Sequence, residues 1–306
     1  MRMAIRYLTT FTYDTHVSES QNALRAKPVS DGRQRLIDYS VTVDPAARIF
    51  SYTDYWGTQV DCFGVIGRHT RLTVVADSMV ETSDAREPVE DGAWPPRVGW
   101  TTREAEYLTT TPHVEWTDEI AEFAEVVTAG AGSTVAAAQA VQAGVGERLS
   151  YVSGSTDIGV TVAEVFAQRT GVCQDYAHLA LAVYRSLGIP ARYVSGYLYA
   201  ADAAAGVRPD DAEVDVSTHA WVEVLVPGYG WWGLDPTNQK VVGEQHVKIG
   251  HGRDYEDVMP LRGVYHGDAE SGGLTAGVKM SRASLDPYAM QPRPVYVRRQ
   301  EQQQQQ

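Results

Sequence analysis

The hydropathy period of this chain changes partway along its length, and that change limits what it can fold into. In the first 80 residues apolar side chains recur at every second position. Met3, Ile5, Tyr7, Phe11 and Tyr13 fall on odd numbers; Ile37, Tyr39, Val41 and Val43 repeat the pattern before Pro45, as do Leu72, Val74, Ala76 and Val80. Such alternation buries one face of a strand and wets the other, as in an antiparallel sheet. Tyr55-Trp56-Gly57-Thr58 reads as a turn between two such segments. No helical period interrupts this region, so residues 1–80 are expected to form an all-β N-terminal domain.

From 81 to 100 the composition turns to acids, Gly and Pro, including Pro95-Pro96, and a linker is expected there. Between Glu81 and Glu125 twelve acidic residues face three basic ones. That run reads as a solvated linker and helix face rather than an acidic docking surface. Helical spacing then takes over. Ile120, Phe123, Ala124 and Val127 make one stripe, with Asp118 and Glu119 suited to the positive end of the dipole. A second helix follows Ser133. Thr161 and Glu164 form a capping-box pattern opening a short helix that Gly171 can close.

The next helix starts at Cys173 and runs to about Leu187, where Gly188 and Pro190 stop it. Ala177, Ala180, Leu181 and Tyr184 form one stripe, and Leu179 and Val183 make the other side apolar too. A helix without a wet face belongs in the centre of its domain. Strands resume at 191–199, 218–226 and 231–235. The expected fold is α+β: the all-β domain over 1–80, the linker over 81–100, and a core over 101–265 with a central buried helix on an antiparallel sheet. A C-terminal extension over 266–299 and a disordered Gln tail over 300–306 complete it.

Charge and cysteine count exclude several function classes. The net charge of −13 argues against gripping nucleic acid by its phosphates or docking on an anionic membrane. No nucleic-acid or membrane partner is expected. Two cysteines, Cys62 and Cys173, are too few for a disulfide scaffold or a four-cysteine zinc site. The first residues carry charge with no apolar run of secretory length behind them, so a reducing cytoplasm is the expectation, with the two thiols unpaired.

The chemistry concentrates around Cys173. A thiol in the first turn of a buried helix faces unpaired backbone N–H groups and the positive end of the dipole, both of which favour thiolate. Such a nucleophile needs a base within reach and a third group to orient the base. His219 opens the alternating strand His-Ala-Trp-Val-Glu-Val, and Asp235 closes the next one, Trp231-Trp-Gly-Leu-Asp. Pro227-Gly-Tyr-Gly230 between them is a turn, so the two strands should pair as a hairpin. Register decides whether the two residues meet. A four-residue connection would pair Val226 with Trp231 and send His219 and Asp235 to opposite faces. Pairing Leu225 with Trp231 instead puts Trp221 opposite Asp235, and His219 becomes its diagonal neighbour on one face. An odd-length connection or a bulge is therefore expected.

Gly171-Val-Cys173-Gln-Asp-Tyr-Ala-His-Leu, followed by Leu187-Gly-Ile-Pro-Ala-Arg-Tyr-Val-Ser-Gly-Tyr197, resembles the nucleophile segment of the transglutaminase-like superfamily. Thr218-His219-Ala-Trp221-Val-Glu223-Val resembles its histidine segment and Asp235-Pro-Thr237 its aspartate segment. Asp54-Tyr-Trp-Gly-Thr is similar to the β-rich front of bacterial transglutaminase-like proteins, and Gly252-Arg-Asp-Tyr-Glu-Asp257 with Pro260 and Arg262-Gly263 to their C-terminal segment.

The resemblance implies a papain-like α+β core and acyl transfer through a thioester. It makes Cys173 the nucleophile on a carboxamide or peptide carbonyl, His219 the proton carrier and Asp235 its orienter. The implied partners are a protein or peptide amide donor and an amine acceptor, with water as the alternative acceptor. The backbone N–H of Cys173 is a natural oxyanion donor. Trp221, two residues beyond His219 and on the same strand face, is placed to wall the site, with Gln174 and Asp175 in support. Asp175 also suits the helix dipole or a neighbouring loop. No cofactor or metal is expected: Asp202-Ala-Ala-Ala-Gly206 lacks the alternate carboxylates of a calcium loop. His178 lies about 140° around the helix from Cys173 and reads as structural. Cys62 reads as packing, and Asp210, Asp211, Glu213 and Asp215 as a solvated loop. A purely hydrolytic peptidase or amidase and a non-catalytic binding module on the same fold remain open alternatives.

Overall fold

The computed structural model of the chain describes residues 1–85, 87–88, 94–95, 99–154, 159–199, 213–269 and 272–283. The alternating front segment forms β1 (Arg2–Leu24), β2 (Gln34–Asp44), β3 (Ile49–Thr53) and β4 (Gln59–Thr82). Helices follow: α1 (Thr102–Ala105), α2 (Asp118–Thr128), α3 (Thr134–Arg148), α4 (Val162–Gln168) and α5 (Cys173–Ser186). Two-residue strands β5 (Ser150–Tyr151) and β6 (Thr170–Gly171) flank α4. The rest comprises β7 (Ala191–Leu198), β8 (Val214–Val216), β9 (Thr218–Val226), β10 (Gly230–Asp235), β11 (Lys240–Val241), β12 (His246–Gly252), α6 (Tyr255–Val258), β13 (Leu261–Gly267) and β14 (Gly272–Arg282). The chain is α+β, as its periods predict.

The first sheet runs β2-β4-β1-β14-β8, with β13 also on β1 and β3 also on β4. It is wider than its first 80 residues. β14, from the segment expected to be an extension, pairs with β1 from Met3 with Arg282 to Tyr13 with Gly272. β13 continues along β1 as far as Leu24 with Leu261, so a boundary at 265 falls inside a strand. The pattern hides this because only Val278 and Met280 of β14 are buried. β8 brings Asp215, read as part of a solvated loop, into the same sheet. Lys279 on β14 lies 2.7 Å from Glu213 and 3.9 Å from Asp215. Asp210 and Asp211, residues 300–306 and much of 86–98 lie outside the described residues.

One inward position is also shifted. A bulge in β2 between Leu36 and Asp38 turns Ile37 outward and gives its place against the core to Leu36.

The helices form where spacing and caps predict. Thr117 caps α2, Ser133 caps α3, and Thr161 with Glu164 makes a full capping box on α4. Gly171 does not close α4. Arg169 does so in the left-handed region at φ 60°, and Gly171 lies in β6, where a Cβ would fall 2.7 Å from Asp175. α5 is buried along nearly its whole length. Even Arg185, near its end, is buried and donates to the carbonyls of Thr109, Ala191 and Arg253.

The second sheet, β11-β10-β9-β7-β12, is antiparallel and packs α5 against β7 and β9. Its edge strands β11 and β12 are joined by only four residues, 242–245. A flat five-stranded sheet would put those edges about 19 Å apart, just beyond the roughly 18 Å that such a link can span. The sheet is therefore rolled, and Trp221 fills the hollow together with Val194 and Val242. The first sheet braces one edge of the roll. Gln34 donates to the Lys248 carbonyl at 2.9 Å and accepts from the Lys248 N–H at 2.8 Å, and Arg33 donates to the carbonyls of Gly243 and His246.

Candidate active site

Cys173 is the first residue of α5, and its N-cap, Val172, offers no side-chain acceptor. The first-turn N–H groups around Cys173 are thus left without a side-chain cap. Asp175 anchors the segment ahead of the helix, accepting from the Val172 N–H at 2.7 Å. Gln174 is half-buried on the same first turn.

The hairpin has the odd-length register. Val226 closes on Gly230 and Leu225 pairs with Trp231, leaving residues 227–229 as the loop. Continuing the register sets Asp235 opposite Trp221 and diagonal to His219. The His219 Nε2–H donates to Asp235 Oδ2 at 2.8 Å, the Asn238 amide nitrogen lies 3.4 Å from the same Nε2, and the Cys173 thiol is near enough to help raise the ring's pKa. With Nε2 engaged by the carboxylate, Nδ1 is the atom left for the thiol.

Asp235 is fully buried and ringed by donors. Oδ1 accepts from the backbone N–H groups of Thr237 and Asn238, both at 3.1 Å, as a local turn does. Oδ2 accepts from His219, from the Asn238 amide at 2.8 Å and from His246 Nε2 at 3.2 Å. Oδ1 thus serves the local turn, while Oδ2 faces the two histidines. Burial alone would raise this carboxyl, yet its hydrogen bonds to His219 and His246 hold it well below the ordinary range. Burial likewise opposes the His219 imidazolium, but Asp235 and Cys173 outweigh it and lift the ring to about 9.

Trp221 is a floor rather than an open wall. It is fully buried beside His219, with its ring 6.1 Å from the imidazole and edge-on to His246 at 5.3 Å. Tyr151, exposed at the edge of β5, is close enough to Cys173 to feel its charge. His178 takes no part in this group. It accepts from the Tyr255 N–H at 3.2 Å, stacks on His113, and is pushed down to about 3 by burial. Cys62 sits on β4, between Ala23 and Phe50 of the neighbouring strands.

Known proteins share this architecture. The family model described as the Transglutaminase-like superfamily matches residues 121–236, and that of the Bacterial transglutaminase-like N-terminal region matches residues 3–81. An uncharacterised Mycobacterium leprae protein is 36% identical over 278 residues, spanning 87% of this chain and 94% of the relative. This chain belongs to the transglutaminase-like superfamily. A crystal structure from Cytophaga hutchinsonii, provisionally named a cysteine protease, superposes with a TM-score of 0.72 at 24% identity, over 94% of this chain and 91% of that one. A protein-glutamine gamma-glutamyltransferase of Pseudomonas aeruginosa is 42% identical over 79 residues, which is 24% of this chain and 11% of that enzyme.

His246 and Asn238 are the members of the site in this transglutaminase-like protein that sequence reasoning missed. Asn238 was within reach of it, because Asp235-Pro-Thr-Asn238 is a turn pattern whose last residue folds back on the first. His246 had no such signal. The atoms His219 Nε2, Asp235 Oδ2 and His246 Nε2 lie within 4.8 Å of one another, a set of the right size for a metal ion. Its protons argue otherwise. The Gly243 N–H donates to His246 Nδ1 at 3.3 Å, so Nε2 carries the hydrogen and aims it at the carboxylate. A metal would need that lone pair, and the donor set does not fit one.

Proposed function

We propose that this transglutaminase-like protein is a cysteine enzyme. It would transfer an acyl group from a carboxamide or peptide carbonyl, through a thioester on Cys173, to an amine or to water. The observation that carries this reading is the placement of His219, hydrogen-bonded to the fully buried Asp235 and beside Cys173.

The chemistry follows from that placement. His219, basic enough to hold a proton at neutral pH, takes one from the thiol at Nδ1, and the sulfur attacks the carbonyl carbon. The oxyanion forms against the uncapped N–H groups at the start of α5, where one well-placed donor is worth roughly 3–4 kcal/mol. Collapse breaks the C–N bond, and His219 gives its proton to the departing ammonia or amine. The acceptor then loses a proton to His219 as it attacks the thioester, and the sulfur leaves. Asp235 keeps the ring oriented and stabilises its charged form in both halves.

The test is mass spectrometry of a glutamine-containing peptide library incubated with the protein and a small primary amine. Amine incorporation, deamidation and backbone cleavage have distinct mass changes. The expectation is one or more of these with the native chain and none with Cys173→Ala. Equal modification by both proteins would reject the reading.

A further inference from the structure

Building on the acyl-transfer reading of Cys173 and His219, we propose that His246 is a positioning residue that fixes the Asp235 carboxylate against His219.

A carboxylate turns freely about its last bond unless both oxygens are held. The turn amides of Thr237 and Asn238 hold Oδ1 of Asp235, and Oδ2 is held by the Asn238 side-chain amide at 2.8 Å and by His246 at 3.2 Å. His246 is itself immobilised. Its ring is buried edge-on against Trp221, and its Nδ1 accepts from the Gly243 N–H. Its strand, β12, is tied to the first sheet through Arg33 and Gln34. The rolled shape of the second sheet is what lets a residue on one edge strand reach a carboxylate three strands away.

The charge state suits the role. The groups facing His246 are Asp235 and His219 across the hollow and Arg33 behind its carbonyl. Burial, His219 and Arg33 all press its pKa down, against the pull of Asp235. A neutral N–H orients the carboxylate without cancelling its charge, so the full charge stays available to the His219 imidazolium. A second imidazolium there would compete with the first.

The experiment uses the full chain with His246→Leu, which deletes the donor, and His246→Gln, whose amide can restore it. His246→Asn, too short to reach Oδ2, takes the place of the leucine variant if that variant does not fold. Two readouts need no turnover: the downfield proton resonance of His219 Nε2–H, and the pH dependence of Cys173 alkylation by iodoacetamide. We expect the leucine variant to lose the resonance to solvent exchange and to shift the His219 titration down by about one pH unit. Where amine incorporation is measurable, kcat should fall about 10- to 100-fold, the scale on which partners that orient metal-bound histidines act. KM should stay within about twofold, and glutamine should recover most of each effect. An unchanged resonance and titration would overturn the proposal, even if the melting temperature falls. A titration that moves up would also overturn it, by making His246 a mere competitor for the carboxylate. If the native chain modifies no substrate, the acyl-transfer reading fails, while the resonance and the titration still judge His246.

Discussion

Gly196 and Trp221 share one volume: the indole lies where a side chain on Gly196 would be. A Cβ there would collide with the Trp221 ring and with the Val247 carbonyl. Gly196 pairs with His219 across β7 and β9, so the space that it leaves open lies directly beneath the site. Gly196→Ala is expected to destabilise the chain by about 1–3 kcal/mol, as overpacking does. It should also slow Cys173 alkylation by tilting Trp221 into His219. Urea unfolding and the alkylation rate check the two effects, and alanine tolerated with neither would mean that the roll has slack.

Cys173→Ala removes the proposed nucleophile at a half-buried position. The expected result is loss of acyl transfer by three or more orders of magnitude, roughly the scale of deleting a nucleophile. Stability should change by no more than about 1 kcal/mol. Turnover and the unfolding midpoint, measured on the same preparation, separate these outcomes. Activity per folded molecule that survives the change would remove Cys173 from the chemistry.

The raised pKa of His219 gives stability a pH dependence. Its ring titrates at about 9 when folded, against an ordinary 6.5, so the folded chain holds the proton more tightly. That stabilisation is complete below about pH 6.5 and disappears as pH rises through about 9. The shift corresponds to about 3 kcal/mol, shared with the depression of Asp235 rather than added to it. The urea midpoint of the native chain should therefore exceed that of His219→Gln at pH 6, and the gap should close by about pH 9.5. A gap that widens with pH would reverse the assignment. In turnover the same group should give a basic limb near pH 9.

Gln34→Ala tests the brace between the sheets. Its side chain serves the Lys248 N–H and C=O and the Val29 carbonyl, all inside the protein. Leaving the Lys248 N–H unpaired should cost about 1–3 kcal/mol, while its carbonyl keeps the Val29 N–H. Thermal unfolding measures it. A loss within about 0.5 kcal/mol would mean that water replaces the glutamine.

Much of this was legible because the information is local. Cys173 at a helix start, His219 and Asp235 on alternating strands, and the arithmetic of an odd loop need only period and turn chemistry, and the structure brings the three side chains together. What escaped depends on pairing between distant segments. His246 meets Asp235 only because the second sheet rolls, and no spacing rule relates β12 to β10. β14 shows two inward apolar residues, too few to announce a strand. Ile37 fits an alternating pattern that a single bulge resets.

The pairing of Met3 with Arg282 also governs how the chain acquires its structure. β1 finds one neighbour, β4, within the first 82 residues, but its other edge stays unpaired until β13 and β14 exist. Contacts of such long sequence separation form slowly. An emerging chain therefore carries an open strand edge while the whole helical segment is made, which invites association with other chains. Refolding should accordingly depend on protein concentration more than the stability of the finished molecule would suggest.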